Sequence, residues 1–355
     1  MNQKLSLFRQ ALQRREIEAA IVLDEKNIGY LCEYFFTDGL LYIDSQSAYL
    51  ITDSRYTEEA EKKASSEFSV VMPHDRIAFL RDVLVSHQIK TLGYESRTMT
   101  VEQYHTFERG LSVSFAPIGD ILSELRAVKT ESEISRIKRA QEITDAAYTH
   151  ILKVLHPSMT EIDVALELSY FMQKSGAEDK SFDIIAVSGE ASAYPHGHAR
   201  NQPLSAGFLT MDFGCIYQNY CSDMTRTVVI GKADAEMKRL YQTVLTAQEY
   251  ALAAIKEGIT CAGADGFARQ HIDREGYPGT FGHGLGHGVG LNIHEAPSLS
   301  PYACQRCLIS GNVVTVEPGI YLTGKYGCRI EDMGVVTLSG FDNFTQSSKE
   351  LLELF

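Results

Sequence analysis

Between residues 207 and 337 four acidic residues, Asp212, Asp223, Glu317 and Glu331, stand inside apolar, strand-forming runs, where an unpaired charge is costly to bury. Leu209-Thr210-Met211 and Thr227-Val228-Val229-Ile230 flank the aspartates; Val313-Val314-Thr315-Val316 and Gly334-Val335-Val336 flank the glutamates. A turn over Ile216-Tyr217-Gln218-Asn219 sets Asp212 directly opposite Asp223 on one face of a hairpin. A turn around Thr323-Gly324-Lys325 does the same for Glu317 and Glu331. Cross-strand neighbours lie about 4.5–5.5 Å apart at Cβ. Carboxylates that close repel unless protonated or neutralised by cations. For a single pair, solvated charges on an exposed hairpin would be the simpler reading, but the apolar flanks speak against it. Two inward acidic pairs require about four positive charges, which two divalent ions supply.

Between the hairpins runs Phe281-Gly282-His283-Gly284-Leu285-Gly286-His287-Gly288-Val289-Gly290, followed closely by His294-Glu295. His283 and His287 have the i, i+4 spacing of a helical metal motif, but five glycines over 282–290 oppose a helix. An extended segment whose backbone hugs a site is expected instead. Three histidines within twelve residues, beside the acidic hairpins, point to function; His196 is a further candidate. His198 and His271 read as surface or structural residues. Cys304-x-x-Cys307 is half of a zinc knuckle without its other half, and Cys215 and Cys221 read as small core residues. Gly282-x-Gly284-x-Gly286 lacks the strand–loop–helix context of a dinucleotide loop.

The 355 residues are 44% hydrophobic and 22% charged, as in folded globular chains, and allow two domains. Lys and Arg number 33 against 46 Asp and Glu, a net charge of −13 that disfavours nucleic acid and anionic membranes as partners. No apolar run approaches the roughly 18 residues of a membrane span. Met1 to Ser6 lacks a signal peptide's apolar stretch, and the seven cysteines are odd in number and scattered. A cytoplasmic location is therefore expected.

Composition divides the chain near residue 122. Residues 1–122 hold 5 of 27 glycines and 3 of 11 histidines, so the chemistry is expected in 123–355. The first part alternates helical and strand patterns, as a small α/β domain does. Ser123 to Thr130 reads as a link, and Thr130 with Glu133 as a capping box. Helices are expected at 131–153, 160–175, 234–256 and 261–275, with strands at 181–187, 207–216, 220–230, 312–322 and 327–337. Strands and helices together make the whole an α/β (α+β) protein.

The ordered set Met211-Asp212-Phe213-Gly214, Ser222-Asp223-Met224-Thr225-Arg226-Thr227, Gly286-His287-Gly288-Val289-Gly290, His294-Glu295-Ala296-Pro297, Val316-Glu317-Pro318-Gly319 and Arg329-Ile330-Glu331-Asp332 resembles the pita-bread metallopeptidases. That family includes Xaa-Pro dipeptidases (prolidases), aminopeptidase P, methionine aminopeptidase and the creatinases. Thr52-Asp53-Ser54-Arg55-Tyr56 resembles a motif of the creatinase-type N-terminal domain. The resemblance implies such a domain over 1–122 and, over 123–355, a pita-bread domain with a curved, mostly antiparallel sheet covered by helices.

By the same resemblance, Asp212, Asp223, His287, Glu317 and Glu331 are metal ligands. His196, His283 and His294 serve catalysis and substrate contact, Tyr321 and Arg329 line the site, and Glu317 carries a proton. Two divalent ions are implied, Mn²⁺ before Co²⁺, Zn²⁺ or Fe²⁺, with short proline-containing peptides as substrates and a homodimer as the assembly. Some dipeptide-specific members place arginine directly after the His-Glu-x-Pro run. Here Ser298 stands there, so a tripeptide is expected to be accepted too, unless a basic residue such as Arg200 replaces that clamp. A creatinase-like C–N hydrolase and a non-catalytic peptide-binding protein remain alternative readings.

Overall fold

Ala19–Val22 is buried along its whole length because it is an inner strand of a sheet with neighbours on both sides. The structure, a computed structural model, describes residues 2–355. It divides into two compact units, one ending at Arg126 and the other running from Ala127 to Phe355. The first unit begins α1 (Gln3–Arg14), β1 (Ala19–Val22), α2 (Glu25–Cys32), β2 (Leu40–Asp44), β3 (Ala48–Ile51) and α3 (Thr57–Lys63). It continues β4 (Ser69–Val71), α4 (Arg76–Ser86), β5 (Thr91–Tyr94), α5 (Val101–Gly110), β6 (Ser114–Pro117) and α6 (Ile121–Ala127). The strands form one mixed sheet in the order β4-β3-β2-β1-β5-β6. Ile21, Tyr42 and Leu92 of the sheet pack with Leu80 and Leu84 of α4 and Phe107 of α5. The segment read as a link is therefore helical in its first half, and the unit boundary falls near the end of α6.

The second unit opens with two capped helices. Thr130 and Glu133 form the expected capping box at α7 (Glu131–Val154), and Thr160 with Asp163 forms another at α8 (Glu161–Lys174). Then come β7 (Asp179–Lys180), β8 (Ile185–Ser188), β9 (Gly207–Phe213), β10 (Cys215–Tyr217), β11 (Tyr220–Cys221) and β12 (Met224–Ile230). After α9 (Ala235–Ala254) and α10 (Cys261–Arg274) follow β13 (Gly286–Gly288), β14 (Glu295–Leu299), β15 (Val313–Val316) and β16 (Gly319–Leu322). The chain closes with β17 (Tyr326–Arg329), β18 (Asp332–Val336), β19 (Phe341–Asn343) and β20 (Glu353–Leu354). Helices α7 and α8 cover β8, β9 and β12; α9 and α10 cover β15 to β17.

Four strands expected to be continuous are broken at an acidic residue or within two residues of one: at Gly214, at Ser222-Asp223, at Glu317-Pro318 and at Ile330-Glu331. The first hairpin also corrects the expected register. Its turn is the two-residue Gln218-Asn219, both at positive φ (46° and 68°), so Ile216 pairs with Cys221 and Asp212 with Thr225. Asp212 and Asp223 are therefore diagonal neighbours on one face, not direct opposites. Gly214 stands where a Cβ would come within 1.9 Å of the Ser222 carbonyl oxygen, which is why the strands can close there. The second hairpin keeps the expected register. Val316 pairs with Asp332 and Gly319 with Arg329, which leaves Glu317 facing Glu331 across the gap.

Candidate active site

Strand parity aims the acids. Leu209, Met211 and Phe213 of β9 and Met224 and Val228 of β12 pack under α7 and α8. Asp212, Asp223 and Thr225 consequently point to the other face. On the second hairpin Val314, Val316, Cys328 and Ile330 pack under α9 and α10, leaving Thr315, Glu317, Arg329 and Glu331 on the opposite face. The two faces border one cavity of about 460 Å³. It is lined by Asp212, Asp223, His287, Glu317 and Glu331 together with His196, His283, His294 and Arg329. Tyr321 sits behind that lining, its hydroxyl 2.9 Å from His283 Nε2.

Hydrogen bonds fix most of these groups. His283 Nδ1 lies 2.8 Å from the Gly284 carbonyl oxygen, which can only accept. Nδ1 therefore carries the proton, and Nε2 accepts the Tyr321 O–H. Burial lowers the His283 pKa, so the ring is held neutral, and raises that of Tyr321 to about 12. Arg329 donates to Asp212 Oδ2 (2.6 Å), to the Tyr321 oxygen (2.7 Å) and to the Pro195 carbonyl (3.2 Å). Two hydroxyls that the sequence reading passed over orient the glutamates. Thr225 donates to Glu331 Oε2 at 2.7 Å and Thr315 to Glu317 Oε1 at 3.1 Å. Both stand two residues from an acid on the same strand face, a spacing visible in the sequence.

His287 lies between Asp223 and Glu317. Its Nδ1 faces the Gly288 carbonyl at 3.2 Å, so it carries a proton there. That leaves Nε2 3.3 Å from Glu317 Oε1 and 3.5 Å from Asp223 Oδ2. A lone pair aimed at two carboxylates requires a proton or a metal ion among them. Ligand atoms of Asp223, His287 and Glu331 lie within 4.8 Å of one another. Asp212 Oδ1 and Glu331 Oε1 are buried without a hydrogen-bond partner. Burial, together with the neighbouring carboxylates, drives Asp223 and Glu331 well above the normal carboxylate pKa. Burial would raise Glu317 too, but the His287 contact outweighs it and holds Glu317 well below. Three buried carboxylates, the partly buried Glu317, one imidazole and two orphaned oxygens fit divalent cations. Hard, oxygen-rich ligation with a single nitrogen suits such ions better than a thiolate zinc site would.

Other expected residues fall elsewhere. His198, read as surface or structural, is exposed and lines the cavity mouth. His271 stacks its ring edge on Tyr250 at 5.0 Å, on α10. Cys215 and Cys221 are buried, whereas Cys304 and Cys307 are exposed. Ser298 lines the cavity opposite His287 in the β13–β14 pairing. Arg200 does not line it; its guanidinium grips the buried Glu161 through two 2.7 Å contacts, and this overturns its candidacy as a carboxylate clamp. Glu295, next to His294, pairs with buried Lys129 at 2.8 Å.

Mostly antiparallel sheets backed by two helix pairs, with buried carboxylates and one imidazole on their open face, define a metal-dependent hydrolase of the pita-bread fold. The sequence matches the model of metallopeptidase family M24 over residues 135–338 and that of the creatinase/prolidase N-terminal domain over 4–128. The chain belongs to the M24 metallopeptidase family. It is 34% identical to the Xaa-Pro dipeptidase of Pyrococcus horikoshii over 99% of both chains. Among solved structures it resembles an Xaa-Pro dipeptidase from Bacillus anthracis (40% identity, TM-score 0.96, 99% of both chains). It also resembles an X-Pro aminopeptidase from Thermotoga maritima (35% identity, TM-score 0.91, 97% of this chain and all of the other). Among the described residues no helix is long and apolar enough to cross a membrane.

Proposed function

We propose that this metallopeptidase hydrolyses the bond preceding proline, in Xaa-Pro dipeptides and at the N-terminus of Xaa-Pro peptides. The observation that carries the reading is the single cavity in which four carboxylates, His287 and the imidazoles of His196, His283 and His294 converge. The names of the full-length relatives supply the proline specificity. Asp212, Asp223, His287, Glu317 and Glu331 would hold two divalent ions, with Mn²⁺ the favoured occupant of so oxygen-rich a site. When bound, such ions supply Lewis acidity toward the carbonyl and acidify water at neutral pH.

The side chains do the rest. Glu317, ionised at neutral pH, takes the proton of the attacking water and returns it to the prolyl nitrogen as that leaves. His294 and His196 stand at the cavity wall as donors for the developing oxyanion. Neutral His283, fixed by Tyr321 and the Gly284 carbonyl, contacts substrate in one tautomer. The free ammonium of a peptide N-terminus is a second group that the cavity can recognise by hydrogen bonding. The prolyl amide has no N–H, so recognition rests on ring shape and on that ammonium.

Arg329, already bonded to Asp212 and Tyr321, is the single Lys or Arg among the cavity-lining residues. Ser298 offers only a hydroxyl, and a fixed cation for a dipeptide carboxylate is lacking along that wall. Dipeptide and tripeptide are therefore cleaved with comparable efficiency. An assay of the Mn²⁺-supplemented protein on Xaa-Pro beside Xaa-Pro-Xaa tests both points. Cleavage of neither peptide refutes the proline reading, and a dipeptide preference of several hundredfold refutes the absence of a clamp. A homodimer in the cytoplasm completes the proposal, the dimer being testable by sedimentation equilibrium.

A further inference from the structure

One wall of the cavity is a connecting loop that carries Pro195, His196 and His198. It leaves β8 at Ser188, makes a short 3₁₀ turn over Gly189–Ala193 and returns at Arg200. Both ends meet one carboxylate. Glu161, the first residue of α8 and fully buried, accepts from the Ser188 N–H (2.7 Å) and hydroxyl (2.8 Å) through Oε1. The Arg200 fork grips both oxygens, with Nη2 on Oε1 and Nε on Oε2, each at 2.7 Å. The Arg200 backbone N–H adds a bond to Oε2 at 3.0 Å. Burial by itself raises the Glu161 pKa, but these donors outweigh it and the group stays ionised.

The middle of the loop is tied to the catalytic strands. Ser192 Oγ accepts the Gly327 N–H at 2.9 Å, and the Pro195 carbonyl accepts from Arg329 at 3.2 Å. A loop closed at its base by five donors on one buried anion has little freedom left at its tip. We infer that Glu161 and Arg200, which lie outside the cavity, are positioning residues that hold His196 in the geometry the reaction uses. The inference rests on the proposed hydrolysis for its catalytic consequence and on the loop alone for its structural one.

A double-mutant cycle separates this role from simple stabilisation. Glu161→Gln puts an amide N–H₂ where only acceptors fit, and Arg200→Met removes the fork while keeping an aliphatic stem. In each, kcat/KM for the peptide that wild type cleaves falls at least tenfold, with bound metal per folded chain unchanged. In a His196→Ala background the same substitutions cost less than twofold, because the group they position is gone. Equal losses in both backgrounds, or full activity of both single variants, overturn the inference. If Glu161→Gln does not fold, Arg200→Met carries the cycle, since that side chain is 43% exposed. Hydrogen exchange of the amides of residues 191–199 needs no substrate, and so reads the loop even if no Xaa-Pro peptide is cleaved. Faster exchange in Arg200→Met than in wild type supports the clamp; identical exchange refutes it.

Discussion

Glu317 and Glu295 are both acids beside histidine-bearing strands, yet they respond to the same substitution in different ways. Glu317→Gln removes the proton acceptor, so kcat falls by about 10²-fold or more with little change in fold. Steady-state kinetics on the folded variant measures it. Glu295→Gln instead deprives buried Lys129 of its 2.8 Å partner, and a buried charge stripped of its counter-ion costs about 3–5 kcal/mol. Thermal unfolding is expected to show a much lower midpoint for Glu295→Gln than for Glu317→Gln, while the surviving Glu295→Gln molecules turn over faster. Asp44 in the first unit gives a pH signature. Burial raises its pKa, but Ser47 N–H, His87 and other donors outweigh this and hold it below the ordinary 3.8. A depressed folded pKa stabilises the fold above the unfolded value and is lost as pH falls through the folded one. Asp44→Asn is therefore less stable than wild type at about pH 6, and the difference shrinks at about pH 3, where denaturant titration checks it.

At the scale of elements, the glycines explain how acids share a face with so little space. A Cβ at Gly214 would meet the Ser222 carbonyl oxygen at 1.9 Å, and one at Gly286 the Thr315 carbonyl oxygen at 2.1 Å. In both cases the obstacle is backbone of the neighbouring strand, which cannot rotate aside. Gly214→Ala is expected to force the first hairpin apart and cost about 2 kcal/mol or more, with weakened metal binding, as calorimetry and metal titration would show. Sequence periodicity located every helix of the second unit to within a few residues, because caps such as Thr130–Glu133 are local. It overran the strands, which break at Gly214, Ser222-Asp223, Glu317-Pro318 and Ile330-Glu331. The first hairpin also slipped from its expected register. Gln218 and Asn219 both adopt positive φ, and nothing in the run Ile216–Asn219 marks two residues rather than four as the turn.

For the whole molecule, Asp212, Asp223, Glu317 and Glu331 meet in one cavity of the second unit, where bound cations would couple to its folding. Chelation is expected to abolish hydrolysis and lower the unfolding temperature of the second unit, leaving the first unit's transition in place. Differential scanning calorimetry with and without chelator checks this, and an unchanged second transition would contradict the two-ion proposal. The sequence by itself determined that Asp212, Asp223, Glu317 and Glu331 would share a face opposite their apolar strand neighbours. Each acid alternates with apolar neighbours along its strand, and a strand's alternation is a one-dimensional property. Only the tertiary structure decided the contacts that join distant segments. Arg200 could have faced a substrate or Glu161, and Glu295 could have faced solvent or Lys129; the spacing of those pairs carries no period. The cost of burying an unpaired charge settles such choices, and that cost is set by which segments the fold brings together.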